Sequence, residues 1–259
     1  MIGVFCLLPR VPIRRNRKEK MLRNLKIALI VSLLAAGPAW GQDIDRLQQL
    51  NQAQFRLLSE DLGGALSYYA QTSAEPLGVT GFDIGVGVTA AKLKNTAVLQ
   101  QASSGTVDST LLVPTLRVHK GLPLGFDIGA IYAAIPDSNM RYYGGELRYA
   151  IFQGGVAMAA VGLRGSFTKL SGVDQLGIDT RGLDLSISKG LGFITPYAGI
   201  GKVWVQSDPK GVATLRSEDF SLNKVFVGIG MNFLAFNVNL EADKTGEVTA
   251  YSLKLGFRF

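Results

Sequence analysis

The chain has 259 residues, 47% of them hydrophobic, with 31 Gly, a single Cys and a formal net charge of +7. A basic balance invites a nucleic-acid reading, but its distribution removes that reading. Residues 1–41 carry eight bases (Arg10, Arg14, Arg15, Arg17, Lys18, Lys20, Arg23, Lys26) and one acid (Glu19), which leaves 19 bases against 19 acids in the rest of the chain.

The basic segment reads as a secretory leader. Met21 to Lys26 is a short basic stretch, Ile27–Ala36 (IALIVSLLAA) is an apolar run of about ten residues, and Ala39-Trp40-Gly41 places small residues before a cut at Gln42. The run is too short for a spanning helix, which needs roughly 20 apolar residues. Residues 1–20 either precede a true start at Met21 or extend the leader. Cys6 lies in this segment, so the mature chain has no disulfide, thiolate metal site or lipid-attachable cysteine.

Residues 43–62 (DIDRLQQLNQAQFRLLSEDL) predict a helix. Ile44, Leu47, Leu50, Leu57, Leu58 and Leu62 recur at spacings of three and four, with Asp43 as a cap and Gly63-Gly64 as a stop. Residues 42–76 are therefore expected to be a periplasmic helical segment and linker, beside or under the mouth of the next domain rather than inside it.

After Pro76 the pattern becomes strict alternation. Phe82, Ile84, Val86 and Val88 alternate with Gly81, Asp83, Gly85, Gly87 and Thr89, and GFDIGA at 125–130 nearly repeats the motif. Leu183, Leu185 and Ile187 interleave with Asp184, Ser186 and Ser188, and Phe236, Val238, Leu240 and Ala242 with Asn237, Asn239, Glu241 and Asp243. Alternate side chains leave opposite faces of a strand, so each strand has one apolar and one small or polar face. A β-sandwich also alternates. Against it, one face carries full charges in strand after strand: Asp83, Arg117, Asp127, Glu146, Arg148, Arg164, Asp184, Glu241, Lys254 and Arg258. Aromatics gather near strand ends (Phe126, Tyr143, Tyr149, Phe236, Tyr251, Phe257), as membrane-interface girdles do.

Ten strands are predicted, at 78–91, 110–120, 124–134, 140–151, 155–168, 179–189, 193–206, 220–233, 235–243 and 247–259. Tight links follow the even strands (KGLP, FQGG, KGLG and the 233–235 step), and longer polar loops follow the odd ones (92–109, 135–139, 169–178, 207–219, 244–246). Short periplasmic turns with longer external loops are the habit of outer-membrane barrels. The expected fold is all-β: a closed antiparallel transmembrane β-barrel of about ten strands over residues 77–259, eight to twelve being compatible with the pattern.

The C-terminal EVTAYSLKLGFRF resembles the last strand of small Gram-negative outer-membrane β-barrels: Tyr251, Leu253, Leu255, Phe257 and Phe259 occupy every second position back from a terminal Phe. The resemblance implies residence in the cell outer membrane, contact with outer-membrane lipid, and recognition of these five residues by the barrel-assembly machinery. It matches no single functional family motif by motif.

Chemistry is scarce. His119 is the sole histidine, whereas outer-membrane hydrolases of the deacylase, phospholipase and protease types rely on His with Ser, Asp or Glu. In the ten-strand topology it falls at the periplasmic end of the second strand, where a wet strand-end histidine is the expectation. AGIGKVW around Lys202 superficially resembles a phosphate loop but has Val203 where Ser or Thr must hold magnesium. No spacing suits zinc or calcium, and no cofactor, catalytic residue or nucleic-acid partner is expected. Barrels of about eight strands are filled by side chains and open porins use 16–18, so ten strands favour a salt-bridged lumen over a steady pore. These observations point to a non-enzymatic barrel, structural or surface-interacting through residues 92–109 and 207–219. A narrow channel for small solutes comes second and a lipid-modifying enzyme third.

Overall fold

A computed structural model of the chain describes residues 43–259 except 105, 106, 137 and 156, and the expected leader and its cleavage site lie outside the described residues. Ten strands follow one another: β1 (Phe82–Lys92), β2 (Thr110–Gly121), β3 (Phe126–Ala134), β4 (Arg141–Gln153), β5 (Ala160–Ser171), β6 (Leu176–Ser188), β7 (Ile194–Pro209), β8 (Glu218–Phe233), β9 (Phe236–Thr245) and β10 (Val248–Arg258). Each pairs antiparallel with its sequence neighbours, and β1 pairs with β10 over Asp83↔Arg258 to Lys92↔Thr249. The sheet is thus a closed up-and-down barrel in which no edge strand remains.

Alternation sets the register. Ile84, Val86, Ile128, Leu147, Leu163, Leu183, Leu185, Ile187, Ile200, Val225, Val227, Ile229, Leu240 and Leu255 all stand exposed on the outside, while the intervening residues are buried inside. Exposure of so much apolar surface is untenable in water and suits hydrocarbon. No helix of the described residues is long and apolar enough to cross a membrane.

Element edges differ from expectation by up to five residues. The link after β4 is six residues, 154–159, because Gly154 turns out of the sheet at φ 78° and the Lys189 ammonium holds the Gly155 and Met158 carbonyls, so β5 begins at Ala160 rather than 155. β6 starts earlier and β7 ends later than predicted. The added inward residues Leu176 and Ile178 of β6, together with Val205 of β7, have an apolar partner inside the barrel.

That partner corrects the expected periplasmic helix. α1 (Gln52–Ala65) packs inside the barrel against β6, β7, β8 and β10, with Phe55, Leu58 and Leu62 fully buried. Asp43 does not cap it. Asn51 does, accepting the Gln54 N–H at 2.9 Å while the Gln54 side chain accepts the Asn51 N–H at 3.0 Å. Gly63 and Gly64 do not end it either. They sit in its last turn, where a Cβ on Gly63 would lie 2.7 Å from Val205 and one on Gly64 2.9 Å from the Thr245 carbonyl. Glycine here permits the close approach of helix and wall.

Segment 43–50 lies at the long-loop end. Ile44 bridges to Ser103, Asp43 accepts from the Asn139 N–H, and Leu47 N–H donates to Gln175. A short helix α2 (Thr96–Ala102) in the β1–β2 loop packs beside α1. Burial of a hydrophobic face by α1, α2 and the inward residues Val113, Ile131, Tyr142, Leu170, Val203 and Val248 makes the half of the lumen near the long loops a dry core.

Candidate functional site: a lumen occupied by the chain's own N-terminal segment

Beyond α1 the chain continues through the barrel without regular structure, from Leu66 to Leu77, and joins β1 at the short-turn end. An extended segment has no ladder of its own, and buried backbone groups left unpaired cost free energy. The wall side chains satisfy them. Arg117 donates to the Tyr69 carbonyl at 3.0 Å, Arg148 to the Ser73 carbonyl at 3.0 Å, Thr168 to the Leu66 carbonyl at 2.8 Å, and Lys224 to the Tyr68 carbonyl. In the other sense, Glu241 accepts the Gln71 N–H at 2.6 Å, Ser188 the Ala74 N–H at 3.1 Å and Asp127 the Leu77 N–H at 3.0 Å. The inward charges therefore take the place that a neighbouring strand would hold.

Most of the charged side chains of the wall also pair with one another. Glu146 sits between Arg148 at 3.2 Å, Arg164 at 3.4 Å and His119 at 3.2 Å, and Asp127 meets Arg148 at 2.9 Å. Lys224 lies 3.7 Å from Asp184 and 3.6 Å from Asp243, and Lys254 pairs with Asp83 at 2.6 Å across the β1–β10 seam. Arg117 and Lys224 also face the Tyr68 and Tyr69 rings, at 5.2 and 5.7 Å. Of the ten charges singled out in the sequence, Asp83, Arg117, Asp127, Glu146, Arg148, Arg164, Asp184, Glu241 and Lys254 are buried inside the barrel, and Arg258 is half-buried at the short-turn end. Lys224 and Asp243 complete the set and follow the same parity. Charges this deep are tolerable only when paired and hydrogen-bonded.

His119 is not a wet strand-end residue. It is 2% exposed, with Nε2 at 3.2 Å from Glu146 and 3.5 Å from the Tyr68 hydroxyl. A Cβ on the facing Gly129 would lie 2.3 Å from its ring, so the space around it is filled. Parity could have found it, because it stands two residues beyond the inward Arg117. Among the described residues no group of His, Cys, Asp and Glu could hold a metal ion.

At the long-loop end the N-terminal segment is tied to the loops themselves. Gln52 bonds the Arg216 backbone and Glu218, Arg56 pairs with Glu218 at 3.0 Å, and Gln101 joins Gln54 and the Gln49 carbonyl. Asp61 accepts the Asn95 N–H at 2.6 Å. The loops named as interacting surfaces are thus folded over α1 as a cap.

On the outside, Tyr251, Leu255, Phe257 and Phe259 are exposed and Leu253 half-exposed, all on one face of β10 and its terminus. Aromatic pairs ring the short-turn end: Phe82 with Phe259 at 5.7 Å, Phe126 with Tyr149 at 4.7 Å, Phe193 with Phe233 at 5.6 Å and Phe236 with Phe257 at 4.5 Å. Tyr143, Trp204 and Tyr251 stand outward nearer the other end.

Among known proteins, no family and no curated sequence matches the chain. Solved structures resemble it at low identity. They include the KdgM porin in complex with disordered oligogalacturonate (8% identical, 68% of this chain and 99% of that one, TM-score 0.38). The β domain of the Bordetella autotransporter BrkA is 10% identical over 69% of this chain and 98% of its own, with a TM-score of 0.38. The outer membrane protein OprG from Pseudomonas aeruginosa is 10% identical over 74% and 99%, with a TM-score of 0.34. By its own geometry, a closed sheet with an apolar exterior, aromatic rims and a polar interior, the chain is a transmembrane β-barrel.

Proposed function

We propose that this protein is a non-enzymatic, sealed outer-membrane barrel that acts through the surface at its long-loop end. The observation that supports this most is the N-terminal segment 44–77, which runs through the whole lumen and has its backbone bonded by the wall. In this reading the long loops face outward, so the β1–β2 and β7–β8 loops form one external surface together with segment 43–56. The leader is removed near Gln42. Tyr251, Leu253, Leu255, Phe257 and Phe259 are read by the assembly machinery, and lipid and that machinery are the partners assigned.

A narrow channel would require residues 66–77 to leave their bonds, and a lipid-modifying enzyme would require lipid to reach His119 past Tyr68 and Glu146. Planar-bilayer recording of the purified protein is the test. The sealed barrel gives no steady unitary steps, and reproducible steps from the wild-type protein at modest voltage would overturn the proposal in favour of the channel. Lipid hydrolysis by the wild type that disappears in His119→Ala would overturn it in favour of the enzyme.

A further inference from the structure

The outside of the barrel carries a depression of about 970 Å³ across β3–β6, toward the long-loop end. Part of its floor is bare backbone: Gly165 faces outward with nothing within 4 Å of the place a Cβ would take, whereas the Phe167 ring covers Gly145, 2.8 Å from the place of its Cβ. Leu147 and Phe167 stand beside this floor, and Lys169 and Arg181 stand at its end nearest the loops. On the next strand, Trp204 pairs in register with Arg181, and Lys202 with Leu183.

Two of these cations are unaccounted for. Lys169 has Asp179 at 3.2 Å. Arg181 and Lys202 are exposed on the outer face and make no ion pair among the described residues. They border the hydrocarbon-facing run of Leu183, Leu185, Ile187 and Ile200, on a wall that meets only lipid. A cation at that boundary reaches the headgroup level at little cost and attracts an anionic lipid headgroup there. The outward Trp204 and Tyr143 mark the same level as an interface.

We infer that this cleft binds one phosphorylated lipid of the outer leaflet, with its phosphate between Arg181 at the cleft and Lys202 on the adjoining strand and an acyl chain laid over Gly165 beside Phe167. The guanidinium fork and the compact ammonium both suit phosphate oxygens, and a glycine floor admits a chain that any side chain would exclude. The assignment to the outer leaflet rests on the reading that the long loops face outward.

The test uses the full-length barrel in non-ionic detergent, titrated with purified lipid A or its dephosphorylated form and followed by native mass spectrometry. Wild type saturates at one lipid per barrel. Removal of the phosphates, or the pair Arg181→Gln and Lys202→Gln, weakens binding about tenfold or more. A second pair, Lys92→Gln and Lys244→Gln, removes two other outward cations and leaves binding within about threefold. The inference fails if the Arg181/Lys202 variant binds like wild type, if both pairs lose affinity equally, or if the dephosphorylated lipid binds as well. Folding of each variant is checked by heat-modifiable mobility. Orientation is read separately, from labelling of Asp45→Cys by an impermeant maleimide on intact cells, so that a reversed barrel and an absent lipid site give different results.

Discussion

Lys254 and Asp83 offer the sharpest test of how the lumen is held, because their ion pair crosses the seam where β10 closes on β1. Their N–O distance is 2.6 Å, both side chains are buried, and the second Asp83 oxygen accepts from Asn237 at 3.1 Å. Lys254→Met leaves Asp83 buried with an amide partner alone, and Asp83→Asn leaves a buried ammonium without its counter-ion. Breaking one side of such a pair costs about 3–5 kcal/mol. The double variant removes both charges together and retains Asn237 beside the new amide. Replacing a whole buried pair is often close to neutral, so it should be more stable than either single variant, with a coupling of at least ~2 kcal/mol. The assay is urea unfolding of the barrel in lipid vesicles, followed by Trp204 fluorescence and confirmed by heat-modifiable mobility. If the two single costs simply add to within ~0.5 kcal/mol, the pair does not form, and the inward placement of Asp83 and Lys254 at the seam is refuted.

Four other outcomes are expected. Leu240→Arg puts a charge on the lipid face and should cost ~2–4 kcal/mol near the midplane, less near an interface; a spin label on Leu240→Cys that oxygen dissolved in the lipid does not reach would mean that the register of β9 is shifted by one residue. Gly63→Val drives a side chain into Val205 and should cost ~1–3 kcal/mol, partly recovered by Val205→Ala; no recovery would place the helix elsewhere. Deletion of Phe259 should lower the yield of folded, heat-modifiable barrel without changing export, and unchanged folding would count against the recognition strand. Asp45→Cys should be labelled by an impermeant maleimide on intact cells, whereas labelling only after the outer membrane is opened would place segment 43–50 in the periplasm.

Residue-by-residue alternation was enough to read ten strands, their order and their faces. A strand has a period of two, and a wall between lipid and a wet or charged interior demands contrast at every step. The terminal aromatic pattern at Tyr251, Phe257 and Phe259 and the inward row from Asp83 to Arg258 were legible for the same reason, and the same parity would have turned His119 inward. The position of α1 was not legible. An amphipathic helix reports only that it buries one face of Leu47, Leu58 and Leu62, not whether the cover is a membrane, another helix or the inside of a barrel. Nor did anything in Leu66–Leu77 announce a buried strand-like segment, because its backbone partners are Arg117, Asp127, Arg148, Thr168, Ser188, Lys224 and Glu241, scattered along the wall and gathered only by closure of the sheet. The inward charges could be seen in the sequence as charges. That they serve as the missing neighbours of an extended chain was decided by the tertiary structure, since a hydrogen bond depends on where both partners lie and the sequence pattern specifies only which way each one points.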